Sequence, residues 1–207
     1  MFVVALIVAA SASWQPVDGV KGFKLFQRDT GEATREMLAI AVIDAPPYVV
    51  KNAIDDFDAT TGRMPLMAEV KVLARAEGSA LVYNRTSAPL VADRDYTVRV
   101  TDDSFVRPDG ETIYVQRWQA ANDQGPDAKP GVVRVSRTEG YWRLEPLDGG
   151  ARTKATYFLV AQAEGIPRQL ADWGTQQVLS SVFAAVRDRV KEPKYRESQP
   201  VVTARRD

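Results

Sequence analysis

Three adjacent charged residues, Asp93, Arg94 and Asp95, are the strongest candidates for a chemical role in this chain. They open an alternating stretch, DYTVRV, that is typical of a strand. Alternation puts one set of side chains on a single face: Arg94, Tyr96, Val98 and Val100. If this face points inward, Arg94 needs an ion pair or hydrogen bonds, because burying an isolated charge is very costly. Arg94 therefore either ties its loop to the sheet, with Asp93 as a neighbour, or contacts the polar group of a bound ligand.

Residue types that support most catalysis are missing. The 207 residues include no histidine and no cysteine, which excludes Ser-His and Cys-His dyads and Cys/His zinc sites. The carboxylate pairs Asp55-Asp56 and Asp102-Asp103 are adjacent in sequence, so their side chains diverge and indicate a solvated surface. The stretch TDDSFVRPDGE lacks the spacing of a calcium loop. We therefore expect no catalytic residues and no metal site.

The bulk composition excludes partners that are polyanions. Lysines and arginines number 27, aspartates and glutamates also number 27, and neither a basic stripe nor an acidic tail is present. A chain without a net field does not attract nucleic acid or an anionic membrane over long range. The length suits one domain of ordinary size.

The N-terminus predicts export. Phe2 to Ala10 is apolar throughout, and Ala10-Ser11-Ala12 has the small-x-small form of a signal-peptidase site. The apolar run is shorter than the about 20 residues of a membrane-spanning helix. We expect a signal peptide over residues 1–12 and a periplasmic protein. Because no charged residue precedes the apolar run, a cytoplasmic protein with a buried or disordered N-terminus is the alternative.

Changes in hydrophobic period predict the elements that position these residues. GFKLFQRD and REMLAIAVID predict a pair of strands, and a proline pair at 46–47 starts a short helix with Val50 and Ile54 on its apolar face. Six further strands follow between Ala68 and Gln162, interrupted by a polar segment, 122–131, that we expect to be a mobile surface loop. Strands and helices that segregate in this way favour an α+β domain with an antiparallel sheet.

A long helix and a tail complete the chain. Pro167 opens a pattern with apolar residues at helical spacing as far as Val190, which predicts the longest helix of the protein. The aperiodic residues 192–207 predict a disordered tail. A long apolar helix docked last onto a curved sheet can enclose a cavity.

The order of elements and four stretches resemble the START (StAR-related lipid-transfer) family of the helix-grip superfamily, in the form of a bacterial exported member. The stretches are APLVADRDYTV, GYWRLEP, TKATYFLVAQAEGIP and IPRQLADWGTQQVLSSVFAAVRDRV. The resemblance covers residues 20–191. It implies a curved antiparallel sheet wrapped around the C-terminal helix, with one apolar or amphipathic lipid in a hydrophobic cavity between them and no obligate cofactor. This sequence departs from the fullest members in having almost no helix before its first strand.

The resemblance and the strand pattern together give a set of candidate ligand-binding residues. They are Tyr83, Leu90, Val91, Arg94, Tyr96, Trp118, Trp142, Phe158, Ile166, Leu170, Trp173, Gln177 and Ser181. The strand aromatics can serve as ordinary core or as ligand wall. Leu170 and Trp173 lie where the family's last helix approaches the cavity mouth, and Gln177 or Ser181 either marks the solvated edge of that helix or donates a hydrogen bond inside the cavity.

The resemblance implies that the protein binds a single lipid or sterol-like ligand and transfers or sequesters it, as a monomer with transient membrane contact. Fold alone does not fix the function. One alternative is an enzyme like the polyketide cyclases and aromatases, which would depend on Arg94, Tyr83 or Tyr96 with buried water. The other alternative is a ligand-sensing module without a transport role.

Overall fold

A computed structural model describes residues 13–29, 34–61, 63–64, 66–89, 91–162, 168–200 and 202. Within these ranges the strands are β1 (Gln15–Val17), β2 (Lys24–Asp29), β3 (Thr34–Ile43), β4 (Met67–Ala76), β5 (Ser79–Thr86), β6 (Arg94–Asp102), β7 (Phe105–Val106), β8 (Thr112–Ala120), β9 (Val133–Arg134), β10 (Thr138–Leu147) and β11 (Arg152–Gln162). The α-helices are α1 (Pro47–Asp55) and α2 (Arg168–Arg189), and short 3-10 helices lie at Phe57–Ala59, Asn122–Gln124, Asp148–Gly150 and Pro193–Arg196.

One curved sheet contains the strands in the order β1-β2-β3-β11-β10-β8-β6-β5-β4. Neighbours along this path are antiparallel, β7 pairs with β8, and the two-residue β9 pairs in parallel with β6. The predicted α+β architecture with a long C-terminal helix is therefore confirmed. The predicted strand after residue 131 is divided in two, because 135–137 separate β9 from β10.

Both helices cover the concave face of the sheet. Pro47 opens α1 at its first turn, where a missing N–H costs nothing, and Val49, Val50 and Ala53 are fully buried. In α2 the buried stripe is Leu179, Val182, Phe183 and Val186. The Phe183 ring lies 4.9 Å from that of Phe23 and 5.5 Å from that of Trp142, so the C-terminal half of α2 is fixed to both halves of the chain.

The core is divided into two clusters. The larger one lies under α1 and α2, on β2, β3, β10 and β11. The smaller one belongs to β5 and β6 and consists of Ala80, Val82, Val98 and Val100. Trp118 on β8 packs against both clusters. It therefore marks the boundary at which the sheet passes from one cluster to the other.

The segment expected to be a mobile loop, 122–131, is packed on the convex face of β6. The side chain of Asn122 accepts a hydrogen bond from the Thr97 amide at 2.8 Å and donates one to the Val135 carbonyl at 2.8 Å. A Cβ on Gly125 would lie 1.9 Å from the Thr97 hydroxyl, so only glycine allows this close approach. The segment is thus part of the folded domain.

Residues 192–200, part of the segment predicted to be a disordered tail, are packed against the domain. Tyr195, in the last 3-10 helix, is 3% exposed. The Asn52 side chain on α1 donates to the carbonyls of Tyr195 and Ser198 at 3.0 and 2.8 Å. The predicted signal peptide, 1–12, lies outside the described residues. Within the described ranges, no helix has the length and apolarity needed to cross a membrane.

Candidate ligand-binding site

The register of the sheet defines which side chains share the concave face. Tyr157 on β11 is opposite Trp142 on β10, and Trp118 on β8 is opposite Val100 on β6. Directly opposed residues of a pleated sheet point to the same side. Tyr96 belongs to this face as well, since it lies four residues before Val100. The inward assignment of the Arg94, Tyr96, Val98 and Val100 face therefore agrees with the structure.

Three aromatic rings form a continuous wall on this face. The Tyr157 ring lies 4.6 Å from that of Trp142 and 5.3 Å from that of Trp118. The Trp118 ring covers Gly140, where a Cβ would come within 2.4 Å of the indole and 2.2 Å of the Phe158 carbonyl oxygen. A side chain at 140 would displace the indole, so the glycine on β10 sets the position of Trp118.

Two tyrosines of the concave face, Tyr96 and Tyr157, are withdrawn from bulk water. Burial raises the pKa of Tyr96 to about 12. Burial and, to a smaller extent, the nearby Tyr96 raise the pKa of Tyr157. Both side chains nevertheless keep some accessible surface, and among the described residues neither hydroxyl has a hydrogen-bond partner. Desolvation combined with accessible surface is expected of side chains that face an internal space.

Four other described candidates differ in burial: three are half-buried and one is exposed. Arg94 is half-buried at the start of β6 and has an interaction within the protein, and the Thr86 hydroxyl donates to its carbonyl oxygen at 3.3 Å. Val91 is half-buried in the preceding loop. On α2, Gln177 is exposed and Ser181 is half-buried.

Four candidates remain predictions. Leu90 and Ile166 lie outside the described residues, and Leu170 and Trp173 are on α2 with side chains that are not described.

Two candidates, Tyr83 and Phe158, lie on the convex face, which corrects the expectation that they line the cavity. Tyr83 is opposite Thr97 and its hydroxyl donates to Asp95 at 3.1 Å. Phe158 stacks on Tyr141 with 5.3 Å between ring centroids. The sequence-based choice of Phe158 instead of Tyr157 is a slip of one residue, which moves a side chain to the other face of a strand.

A buried ion pair that the sequence did not reveal explains the presence of Asp95 at the start of β6. Asp95 is fully buried on the convex face and accepts two hydrogen bonds from Arg134, at 2.6 and 3.2 Å. Asp93 pairs with Arg85 at 3.1 Å, so the expected pairing of Asp93 with Arg94 gives way to another partner. The link between Asp95 and Arg134 joins residues 39 positions apart, and no local pattern signals it.

A second charge cluster closes one end of the concave face. Lys51 on α1 has a side chain only 4% exposed and contacts Asp102 at 2.9 Å and Asp55. Burial would lower the pKa of Lys51, but the two carboxylates outweigh it and raise that pKa. Burial would likewise raise the pKa of Asp102, but the interactions of its carboxylate with Ser104 and Lys51 outweigh burial and lower that pKa. Asp55 and Asp102, two of the four carboxylates predicted to lie on a solvated surface, are thus half-exposed partners of a buried lysine.

A groove of about 320 Å³ on the convex face is a weaker candidate site. Its walls include Arg117, Glu139 and Tyr141. Arg117 pairs with Asp103 at 2.6 Å and Glu139 pairs with Arg137 at 3.2 Å, so these charges already have partners. No group of three or more potential metal-ligating side chains occurs among the described residues.

Comparison with solved structures identifies the fold. A STAR-related lipid transfer protein from Xanthomonas axonopodis is 26% identical, with 86% of this chain and 99% of that chain covered and a TM-score of 0.74. Human StAR-related lipid transfer protein 5 is 15% identical, with 91% of this chain and 90% of that one covered and a TM-score of 0.69. The di-domain aromatase/cyclase BexL is 16% identical, with 81% and 52% covered and a TM-score of 0.50.

No protein-family model and no curated protein matches the chain. The structural likeness extends over the whole domain, because the alignment covers 99% of the Xanthomonas protein. The StAR-related lipid transfer structures confirm the predicted resemblance to START domains. The chain therefore has the START-like helix-grip fold of the StAR-related lipid-transfer domains.

Proposed function

We propose that the protein binds one lipid between the concave face of its sheet and the C-terminal helix, and that it transfers or sequesters that lipid. The observation that carries the proposal is the desolvated aromatic wall of Tyr157, Trp118 and Trp142 with Tyr96 beside it. Burying apolar ligand surface there yields about 25 cal/mol per Å². The likeness to a STAR-related lipid transfer protein at 26% identity supports the same function.

Lipid extraction and a vesicle-transfer assay test the proposal. Organic extraction of the purified protein followed by mass spectrometry should recover one lipid per chain, and the protein should speed the movement of a fluorescent lipid between vesicles. Trp118→Ala should weaken transfer because it removes part of the concave wall. Tyr141→Ala, an aromatic deletion on the convex face, is the matched control and should transfer lipid normally. Equal transfer by both variants would contradict the location of the site.

An enzyme related to aromatase/cyclases is the second candidate, favoured by the likeness to BexL. Burial raises the pKa of Tyr96 to about 12, which makes its hydroxyl even harder to ionise than an ordinary phenol and suits it to donate a hydrogen bond. This argument favours binding without turnover. Recovery of a lipid with altered mass after incubation would instead support the enzyme.

Export remains part of the proposal and depends on the Phe2 to Ala12 segment alone. N-terminal sequencing of the protein from its native source should find a start near Ser13. An intact Met1 on a cytosolic protein would contradict export and would leave lipid binding unaffected.

A further inference from the structure

We infer that the ligand is an uncharged lipid whose polar group is a hydroxyl or a carbonyl, and that Tyr96 and Tyr157 hydrogen-bond that group. This inference rests on the proposed lipid-binding function. It narrows the ligand from lipids in general to neutral ones and assigns the residues that recognise the polar end.

The polar side chains directly opposite Tyr96 and Trp142 on the neighbouring strands are uncharged. Asn84 is directly opposite Tyr96 on the neighbouring strand, and Gln116 is directly opposite Trp142. Asn84 donates to the Val82 carbonyl at 3.3 Å, and Gln116 donates to Asp55. A tyrosine hydroxyl can both donate and accept a hydrogen bond. The two phenols can therefore bind either a hydroxyl or a carbonyl.

The cations near this face already have partners. Lys51 contacts both Asp55 and Asp102, and Arg94 has an interaction of its own within the protein. A lipid carboxylate or phosphate that approached Lys51 would have to displace one of its two carboxylate partners. Such a displacement leaves another charge without compensation in a buried place, which is costly.

Burial away from water disfavours a negatively charged ligand here, just as it disfavours the ionised form of a tyrosine side chain. Burial raises the pKa of both Tyr96 and Tyr157, so their surroundings disfavour negative charge. The neutral phenols can stabilise a neutral polar group with ordinary hydrogen bonds. The rings of Trp118 and Tyr157 provide apolar contact beside it.

The test compares three fluorescent probes at neutral pH: NBD-labelled cholesterol with one hydroxyl, NBD-labelled stearic acid with a carboxylate, and NBD-labelled phosphatidylglycerol with a phosphodiester. Delipidated wild-type protein should bind the cholesterol probe about tenfold or more tightly than either anion. Tyr96→Phe and Tyr157→Phe each remove one hydroxyl oxygen. Each variant should bind the cholesterol probe about threefold to tenfold more weakly than the wild type does. Binding of the stearic acid probe should not change.

Tyr141→Phe is the matched control, since it removes a phenol oxygen from the convex face, and it should leave all affinities unchanged. Both single variants keep the ring packing, and thermal unfolding checks that they fold. Tighter binding of an anionic probe, or unchanged cholesterol binding in both variants, would overturn the neutral-ligand inference while leaving lipid binding in place. Absence of binding by all three probes, together with no extracted lipid, would overturn both proposals.

Discussion

At the scale of single residues, the three neighbouring charges Asp93, Arg94 and Asp95 have different structural roles. Asp95 is fully buried beneath the 122–135 segment and is bound by Arg134 and Tyr83. Asp93 is partly exposed and pairs with Arg85. Arg94 points to the opposite face from Asp95. At the start of β6, Asp95 thus fixes a segment to the outside of the sheet, and Arg94 borders the candidate ligand site.

Asp95→Asn should destabilise the protein strongly, because it leaves the Arg134 guanidinium without its buried counter-charge. We expect a loss of about 3 to 5 kcal/mol in the free energy of unfolding, as for other broken buried pairs. Asp93→Asn, two residues away, should cost less than about 1 kcal/mol because its ion pair is partly solvated. Urea unfolding measures both variants. Equal losses of unfolding free energy in the two variants would show that the buried ion pair contributes no more to stability than the surface ion pair does.

At the scale of elements, the pairing of β8 with β10 positions the ligand wall. Gly140 is opposite Trp118 across these strands, and its missing side chain lets the indole lie over β10. The indole then reaches Tyr157 on β11, one strand further along the sheet. One glycine on one strand therefore determines how three strands present their aromatic rings.

Gly140→Ala should lower both stability and lipid affinity. The new methyl group would meet the Phe158 backbone oxygen as well as the indole, and overpacking of this kind costs about 1 to 3 kcal/mol. Gly174→Ala is the matched control: no heavy atom lies within 4 Å of its Cβ position, and alanine in a helix gains up to about 1 kcal/mol over glycine. Thermal unfolding and fluorescent-lipid binding measure both variants. Unchanged binding by Gly140→Ala would contradict the role assigned to the Trp118 position.

At the scale of the whole molecule, Asp56 joins the first helix to the end of the chain. Its carboxylate accepts hydrogen bonds from Tyr195 at 2.9 Å and Lys194 at 2.7 Å, and its carbonyl accepts one from Arg189 at 2.7 Å. Burial would raise the pKa of Asp56, but the hydrogen bonds from Lys194, Tyr195 and the Ala59 amide outweigh it and lower that pKa below 3.8. The ionised carboxylate thus holds the end of α2 and the segment after it against α1.

Because the pKa of Asp56 is lower in the folded state, its contribution to stability is present above pH about 4 and is lost as the pH falls through the folded-state pKa. Asp56→Asn should cost about 1.5 to 3 kcal/mol at pH 7 and less at low pH, where the wild-type carboxylate is itself protonated. Urea unfolding over this pH range measures the difference. Asp58→Asn, whose side chain is 74% exposed, should change little at either pH. A constant difference between wild type and Asp56→Asn would contradict this role.

Local sequence patterns predicted the α+β architecture, and the resemblance of four stretches to START domains predicted the helix-grip fold. Alternating and helical periods, together with proline and glycine at the boundaries, predicted the principal strands, both helices and the grouping of Arg94 with Tyr96 on one face of β6. These signals are local, since each depends on residues within a few positions of one another. The absence of histidine and cysteine likewise limited the chemistry that the chain can perform.

The long-range pairings and the phase of β11 depend on the assembled tertiary structure. Alternation has a period of two but leaves open which set faces inward, so the sequence favours Phe158 where register and helix packing place Tyr157. The link between Asp95 and Arg134 and the docking of Tyr195 on α1 join residues far apart in sequence, so no local pattern contains them. Their stability comes from burial against distant strands and helices, and that burial exists only once the sheet has assembled.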